Sequence, residues 1–186
     1  MRAHAQPRAV LLDTCAVIYL ANGDPIAKPA ADAITHARLA DGVYISPISA
    51  WEIGLLSRPG RPNTVHFLPD PKTWFARVLA APAIKQAAFT PDIAIDSAHL
   101  PLPLYGDPAD RLLIATARHL GMPIVTRDRQ IAAYAAAGHV QVIGCRLARR
   151  HSCCAIGRER AASAGLRGGA DDQNRLPVSE TSRGVP

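Results

Sequence analysis

Short apolar runs alternate with longer amphipathic segments along most of this chain. The runs have the length and the β-branched content of strands, while the segments between them space their apolar residues as helices do. Strands that alternate with helices build βαβ units, so the sequence predicts an α/β fold with a central, mainly parallel sheet. The predicted strands cover residues 9–12, 43–45, 84–89, 123–126 and 140–143, and the predicted helices cover residues 14–20, 29–40, 49–56, 71–81, 91–100, 108–120 and 129–137.

The composition changes near residue 144. Residues 145–186 are dominated by Gly, Ser, Arg, Ala and Pro without an apolar period, so we expect a disordered tail. The alternatives are a basic RNA-contacting arm and an out-of-frame extension of the gene. This tail holds 8 arginines against 4 acids, whereas the rest of the chain has a net charge of only +2. The total of +6 therefore does not by itself indicate a nucleic-acid partner. We expect a short extension at residues 1–8 and one compact domain at residues 9–144.

Targeting and redox signals are weak in this sequence. No apolar run approaches the roughly 18 residues of a membrane-spanning helix, and the first ten residues lack the apolar core of a signal peptide. The 4 cysteines show neither the density of a disulfide scaffold nor the spacing of a zinc site. A cytoplasmic location is therefore the expectation.

Four acidic residues follow the predicted strands. Asp13 and Asp128 come directly after strands, and Glu52 and Asp110 lie in the first turns of the next helices. In a parallel sheet the carboxyl ends of the strands share one edge, so the four side chains can converge there. Carboxylates that are close together repel one another unless a cation neutralises them. Oxygen ligands without a nearby histidine favour Mg²⁺ or Mn²⁺ over Zn²⁺.

Each of these acids also has a structural interpretation. Ser49 and Glu52 have the spacing of a capping box, with Ser49 as the N-cap. Asp107 fits an N-cap before Pro108, which places Asp110 where the helix dipole favours a negative charge. Asp128 can cap its own helix, and Asp13 can begin a turn. For any one acid the two interpretations stay open, whereas the four together favour a site.

Other residues near the acids are weaker candidates. Thr14 and Thr126 place a hydroxyl beside an acid, where it can hold a ligand or simply pack or cap. The arginines that flank the acids can contact phosphate or form a solvated surface. Trp51 is expected in the core rather than as a platform for a nucleic-acid base. The arginines in question are Arg111, Arg127 and Arg129.

Several segments, in this order, resemble the PIN-domain ribonucleases, and most closely the VapC toxins of bacterial toxin–antitoxin pairs. They are LLDTCAVIYLANGD, ISPISAWEIGLL and GDPADRLLIATARHLGMPIVTRD, followed by QIAAY. The resemblance covers residues 9–143, and DPADRLLIATA followed by VTRD is its most specific part. It implies a three-layer α/β/α PIN-like fold and a Mg²⁺- or Mn²⁺-dependent endoribonuclease. It also implies a cognate antitoxin and a homodimer.

The same resemblance assigns roles to individual residues. The acidic quartet of the family falls on Asp13, Glu52, Asp110 and Asp128, with Thr126 in support. The mechanism that we expect is metal-assisted hydrolysis of an RNA phosphodiester. Asp13 and Asp110 would hold the ion, Asp128 would complete that site or hold a second ion, and Glu52 would orient or deprotonate the attacking water.

Three other functions compete with a nuclease. A receiver domain of signalling proteins needs a lysine after a late strand, but every lysine here precedes Asp107. A phosphatase of the haloacid-dehalogenase type needs a second aspartate two residues after the first, where this chain has Cys15. A degenerate PIN domain that binds RNA or protein without cutting stays open, although the intact quartet argues against it.

Overall fold

The computed structural model of the protein describes residues 6–60, 64–103 and 107–147. The predicted tail falls almost entirely outside these residues. Cys145, which we placed first in that tail, is buried, and its N–H donates to the carbonyl oxygen of Thr126 over 2.8 Å. The backbone of Cys145 thus continues the last pair of strands. The division into three regions stays a prediction.

Five strands form one parallel sheet in the order β3-β2-β1-β4-β5. Each neighbouring pair is parallel, and Leu11 of the central strand stands between Tyr44 and Ile124 in the register. The prediction of a mainly parallel sheet is therefore confirmed, and all five carboxyl ends share one edge. The strands are β1 (Ala9–Leu12), β2 (Gly42–Ile45), β3 (Ile84–Gln86), β4 (Ile124–Thr126) and β5 (Val142–Gly144).

Helices connect the strands, and most of them begin at a proline behind a capping side chain. A proline at the first turn loses no helical hydrogen bond, and the side chain of the N-cap accepts from one of the free N–H groups. Gly121 ends the sixth helix with φ of 64°, a conformation that glycine adopts without strain. The helices are α1 (Thr14–Asn22), α2 (Lys28–Leu39), α3 (Pro47–Leu56), α4 (Pro71–Leu79), α5 (Pro91–Ala98), α6 (Pro108–Leu120) and α7 (Arg129–Ala136).

The core lies in two layers, one on each face of the sheet. Leu11 packs on one face with Ile114 of α6, whereas Val10 and Leu12 pack on the other face with Ile34 of α2. This alternation follows from the two-residue period of a strand. Helices cover both faces, so the three-layer α/β/α architecture is confirmed.

Two local expectations are wrong. Ser46, not Ser49, is the N-cap of α3, because Pro47 fits the first helical position and the hydroxyl of Ser46 accepts from the N–H of Ile48 over 3.2 Å. Trp51 is 55% exposed rather than in the core. Within the described residues, no helix is long and apolar enough to cross a membrane.

Candidate active site

Asp13 stands directly after the central strand, at the carboxyl edge of the sheet. Its N–H donates to the carbonyl oxygen of Val125 over 3.0 Å, so the backbone of Asp13 continues the pairing of β1 with β4. The residue is also the N-cap of α1, and it is only 8% exposed. The position of the Asp13 carboxyl group is therefore fixed by the strand that ends before it and by the helix that begins after it.

Thr126 fixes the side chain of Asp13 from the neighbouring strand. Its hydroxyl donates to Oδ2 of Asp13 over 2.6 Å, and its Oγ1 accepts the N–H of Asp128 over 2.9 Å. The Thr126 hydroxyl therefore has a defined direction, toward Asp13. The structure thus brings Asp13 together with Thr126 and Asp128, which lie 113 and 115 positions later in the chain.

Glu52 reaches the same edge from α3. Thr14, the first residue of α1, donates its hydroxyl to Oε2 of Glu52 over 2.5 Å. The Oγ1 of Thr14 also lies 2.9 Å from Oγ of Ser49, one helical turn before Glu52. The two threonines that we singled out thus each bind one of the acids. We did not place Ser49 in the site, although its i, i+3 spacing from Glu52 puts both on one helix face.

Asp110 projects from the first turn of α6. Asp107 is the N-cap of that helix and accepts the N–H of Ala109 at Oδ1 over 2.9 Å, as the Asp-Pro pair predicts. Asp110 lies in the first turn, where the helix dipole favours its charge, and it is half-buried.

Asp128 is the N-cap of α7, as the structural interpretation of this residue predicts. Its Oδ1 accepts the N–H groups of Gln130 over 2.6 Å and Ile131 over 3.1 Å. Its charge nevertheless acts on both Asp13 and Asp110, where it raises the pKa. The structural and the functional interpretations of Asp128 are therefore compatible.

Repulsion and burial dominate the electrostatics of this edge. Burial, followed by the charges of Asp128, Asp13, Glu52 and Asp107, raises the pKa of Asp110 to about 7. Burial is also the main cause that raises the pKa of Asp13 and of Glu52, against the opposing hydrogen bonds from Thr126 and Thr14. These acids form one interacting group whose negative charges disfavour one another.

The donors of this group suit a divalent cation. They are carboxylate and hydroxyl oxygens, and their mutual repulsion would be relieved by a positive charge among them. Within the described ranges, no group of three or more histidine, cysteine, aspartate or glutamate side chains is arranged to hold an ion as it stands. The assignment of Asp13, Asp110 and Asp128 as ligands thus rests on donor chemistry and charge.

Two of the three candidate phosphate-binding arginines have structural contacts. Arg111 donates to the carbonyl oxygens of Ser97 over 3.0 Å and Ala98 over 3.1 Å, at the end of α5. Arg127 contacts the hydroxyl of Tyr19 and lies over its ring, 4.8 Å from the centroid. Arg129 is exposed at the start of α7. For Arg111 in particular, the role seen here is to join α6 to α5.

Comparison with known proteins agrees with this architecture. A family model described as the PIN domain matches residues 10–137. Ribonuclease VapC22 of Mycobacterium tuberculosis (strain ATCC 25618 / H37Rv) is 32% identical over 124 residues, which are 66% of this chain and 88% of that protein. The solved structure of VapBC2 from Rickettsia felis, bound to a DNA fragment from their promoter, is 14% identical with a TM-score of 0.50 and shares the fold. The match covers 74% of this chain and 99% of the chain in the VapBC2 structure. This chain belongs to the PIN domain family.

Proposed function

We propose that the protein is a metal-dependent endoribonuclease that hydrolyses RNA phosphodiester bonds at the carboxyl edge of its sheet. The observation that carries the proposal is the interacting group of carboxylates at that edge, in which the pKa of Asp110 rises to about 7. Uncompensated carboxylates are costly to a fold, so such a group is typical of a functional site. The similarity to a VapC ribonuclease supplies the reaction class.

Asp13, Asp110 and Asp128 would hold the cation, Mg²⁺ or Mn²⁺. When bound, such an ion lowers the pKa of a water and neutralises charge on the phosphate. Thr126 keeps Oδ2 of Asp13 in one orientation through its hydroxyl. Because Thr126 is itself held by the N–H of Asp128, the two acids are oriented relative to each other.

Glu52 would orient the attacking water or take its proton. Its pKa is raised, mainly by burial, which favours proton uptake nearer to neutral pH than an exposed glutamate allows. The hydroxyl of Thr14 occupies Oε2, so Oε1 is the oxygen that faces the water in this proposal. Arg129, at the exposed start of α7, is the arginine that we retain as a phosphate contact.

We also propose that the protein is the toxin of a toxin–antitoxin pair, with a small cognate antitoxin as inhibitor. The support is the similarity to a VapC ribonuclease, together with a fold shared with a VapBC2 structure. A homodimer and an RNA substrate in the cytoplasm complete the proposal. Co-expression with the product of a short neighbouring gene should yield a complex that does not cleave RNA. Light scattering of the free chain should give twice its mass of 19.8 kDa.

The decisive experiment is cleavage of a panel of structured RNAs by the full chain, with Mg²⁺, with Mn²⁺ and with EDTA. We expect discrete cuts that require the metal and disappear in Asp13→Asn. Full metal-dependent cleavage by Asp13→Asn would overturn the assignment of the site. If no RNA is cut, metal binding measured by calorimetry indicates an enzyme that lacks its substrate or carries a bound inhibitor. Absence of metal binding would favour the alternative, a degenerate PIN domain that binds RNA or protein without cutting.

A further inference from the structure

Ser49 lies in the interior of α3 with its side chain against the start of α1. It is 1% exposed, so bulk solvent does not reach its hydroxyl. Its Oγ lies 2.9 Å from Oγ1 of Thr14, and the same Thr14 oxygen lies 2.5 Å from Oε2 of Glu52. Three side chains from two helices therefore form a continuous hydrogen-bonded chain that ends on a proposed catalytic carboxylate.

The direction of the hydrogen bonds follows from the number of protons. A carboxylate only accepts, so the short contact to Glu52 requires the single hydroxyl proton of Thr14. Thr14 then has no proton left for Ser49, and Ser49 must be the donor in the contact between them. The order is Ser49 to Thr14 to Glu52.

We propose that Ser49 is a positioning residue for Glu52, acting through Thr14. By donating to Oγ1 of Thr14, Ser49 fixes the rotation of that hydroxyl so that its proton points at Oε2 of Glu52. This inference rests on the proposed nuclease, because it gives Glu52 a defined orientation toward the attacking water. Ser49 itself touches neither substrate nor metal.

The second threonine of the site, Thr126, has the same arrangement of one accepted and one donated hydrogen bond. Thr126 accepts the N–H of Asp128 and donates to Asp13, so a donor on one side fixes the hydroxyl on the other. For Thr126 that donor belongs to the backbone, which substitution does not remove. For Thr14 the donor is the Ser49 side chain, so a single substitution can release this hydroxyl.

The test uses the full chain with Ser49→Ala, Ser49→Thr and the matched control Ser97→Ala. Ser97 is also a buried helical serine, and its hydroxyl donates to the carbonyl oxygen of Ala94 over 2.7 Å on α5, away from Glu52. We expect Ser49→Ala to lower kcat about tenfold with KM unchanged, because Glu52 loses its fixed orientation. Ser49→Thr, which keeps the hydroxyl, and Ser97→Ala should retain the rate of the parent protein.

A second readout does not depend on activity. The ¹³C resonance of the Glu52 carboxyl, assigned with Glu52→Gln, is titrated in the parent chain, in Ser49→Ala and in Thr14→Val. Weaker donation to the carboxylate should raise the Glu52 pKa in Ser49→Ala, and adding Ser49→Ala to Thr14→Val should change nothing further.

The two measurements separate failure of this inference from failure of the nuclease. An unchanged Glu52 titration in Ser49→Ala, or a rate equal to that of the parent, overturns the positioning role while the nuclease stands. Absence of both RNA cleavage and metal binding by the parent chain overturns the nuclease. The titration then decides alone whether Ser49 orients Glu52.

Discussion

The amino and carboxyl ends of the parallel strands, which form two edges of the sheet, differ in how their charges are balanced. At the amino edge, Arg8 donates to both carboxylate oxygens of Asp41 over 2.8 and 3.0 Å, and this pairing is the main cause that lowers the pKa of Asp41. At the carboxyl edge, acids face acids, and the pKa of Asp110 rises to about 7. One edge has its charge balanced within the fold, whereas the other would be balanced by a ligand from outside.

The largest expected effect is on catalysis, and a matched pair of substitutions measures it. Asp110→Asn should lower metal-dependent RNA cleavage by at least about a hundredfold, because it removes a proposed metal ligand. Asp41→Asn makes the same chemical change at the other edge and should leave the rate unaltered. Equal losses in both variants, measured as kcat/KM, would contradict the division between the edges.

Metal binding should also stabilise the fold. A cation that binds only the folded state contributes about 2.7 kcal/mol at a concentration of 100 times its Kd. We therefore expect Mg²⁺ or Mn²⁺ to raise Tm by about 5–10 °C in the parent chain and in Asp41→Asn. The rise should be absent in Asp13→Asn. A similar rise in all three proteins would place the bound ion elsewhere.

Stability should depend on pH through Asp110. The pKa of Asp110 is about 7 in the folded chain, whereas an unperturbed aspartate has a pKa of 3.8, so the folded state binds the proton more tightly. Stability from this group is present at low pH and is lost as pH rises from about 4 through 7. In EDTA, Asp110→Asn should therefore be more stable than the parent by about 1–2 kcal/mol at pH 8, after allowance for solvent screening.

Urea unfolding at several pH values measures this difference. The advantage of Asp110→Asn should shrink below pH 7 and disappear near pH 4. An advantage that stays constant with pH would mean that the carboxylate charge is not its cause.

The smallest effect concerns the backbone at the amino edge. Ala83, just before β3, has φ of 66°, a left-handed conformation that costs a residue with a Cβ more than it costs glycine. Ala83→Gly should stabilise the chain by about 0.5 kcal/mol, because relief of the left-handed strain outweighs the larger entropy that glycine loses on folding. The urea midpoint measures this shift, and RNA cleavage should not change. A loss of stability would show that the strain is absent.

Local signals predicted most of the elements. Helix α6 has the predicted bounds Pro108–Leu120, because an Asp-Pro start and a glycine end act within a few residues. The start of α3 was predicted wrongly because two serines lie within one turn of each other, and Pro47 decides between them. Trp51 was misplaced because α3 is apolar on nearly all sides, so periodicity does not show which side the domain covers.

The site could be predicted in part. The residues that follow strands were found, since parallel strands bring their carboxyl ends together whatever the side chains are. Ser49 was missed because its role depends on Thr14 of another helix. The contacts of Arg111 with carbonyl oxygens at the end of α5 were not predicted, because these partners are not its neighbours in the sequence.

The sequence by itself determined the order of strands and helices along the chain, the three-layer class and the positions of the acids after the strands. These features depend on periodicity and on short-range caps. Only the tertiary structure decided which donors meet which carboxylates. Thr126 reaches Asp13 across 113 positions, and Ser49 reaches Thr14 across 35. Such contacts depend on how helices and strands pack, and packing is a property of the whole domain rather than of any segment.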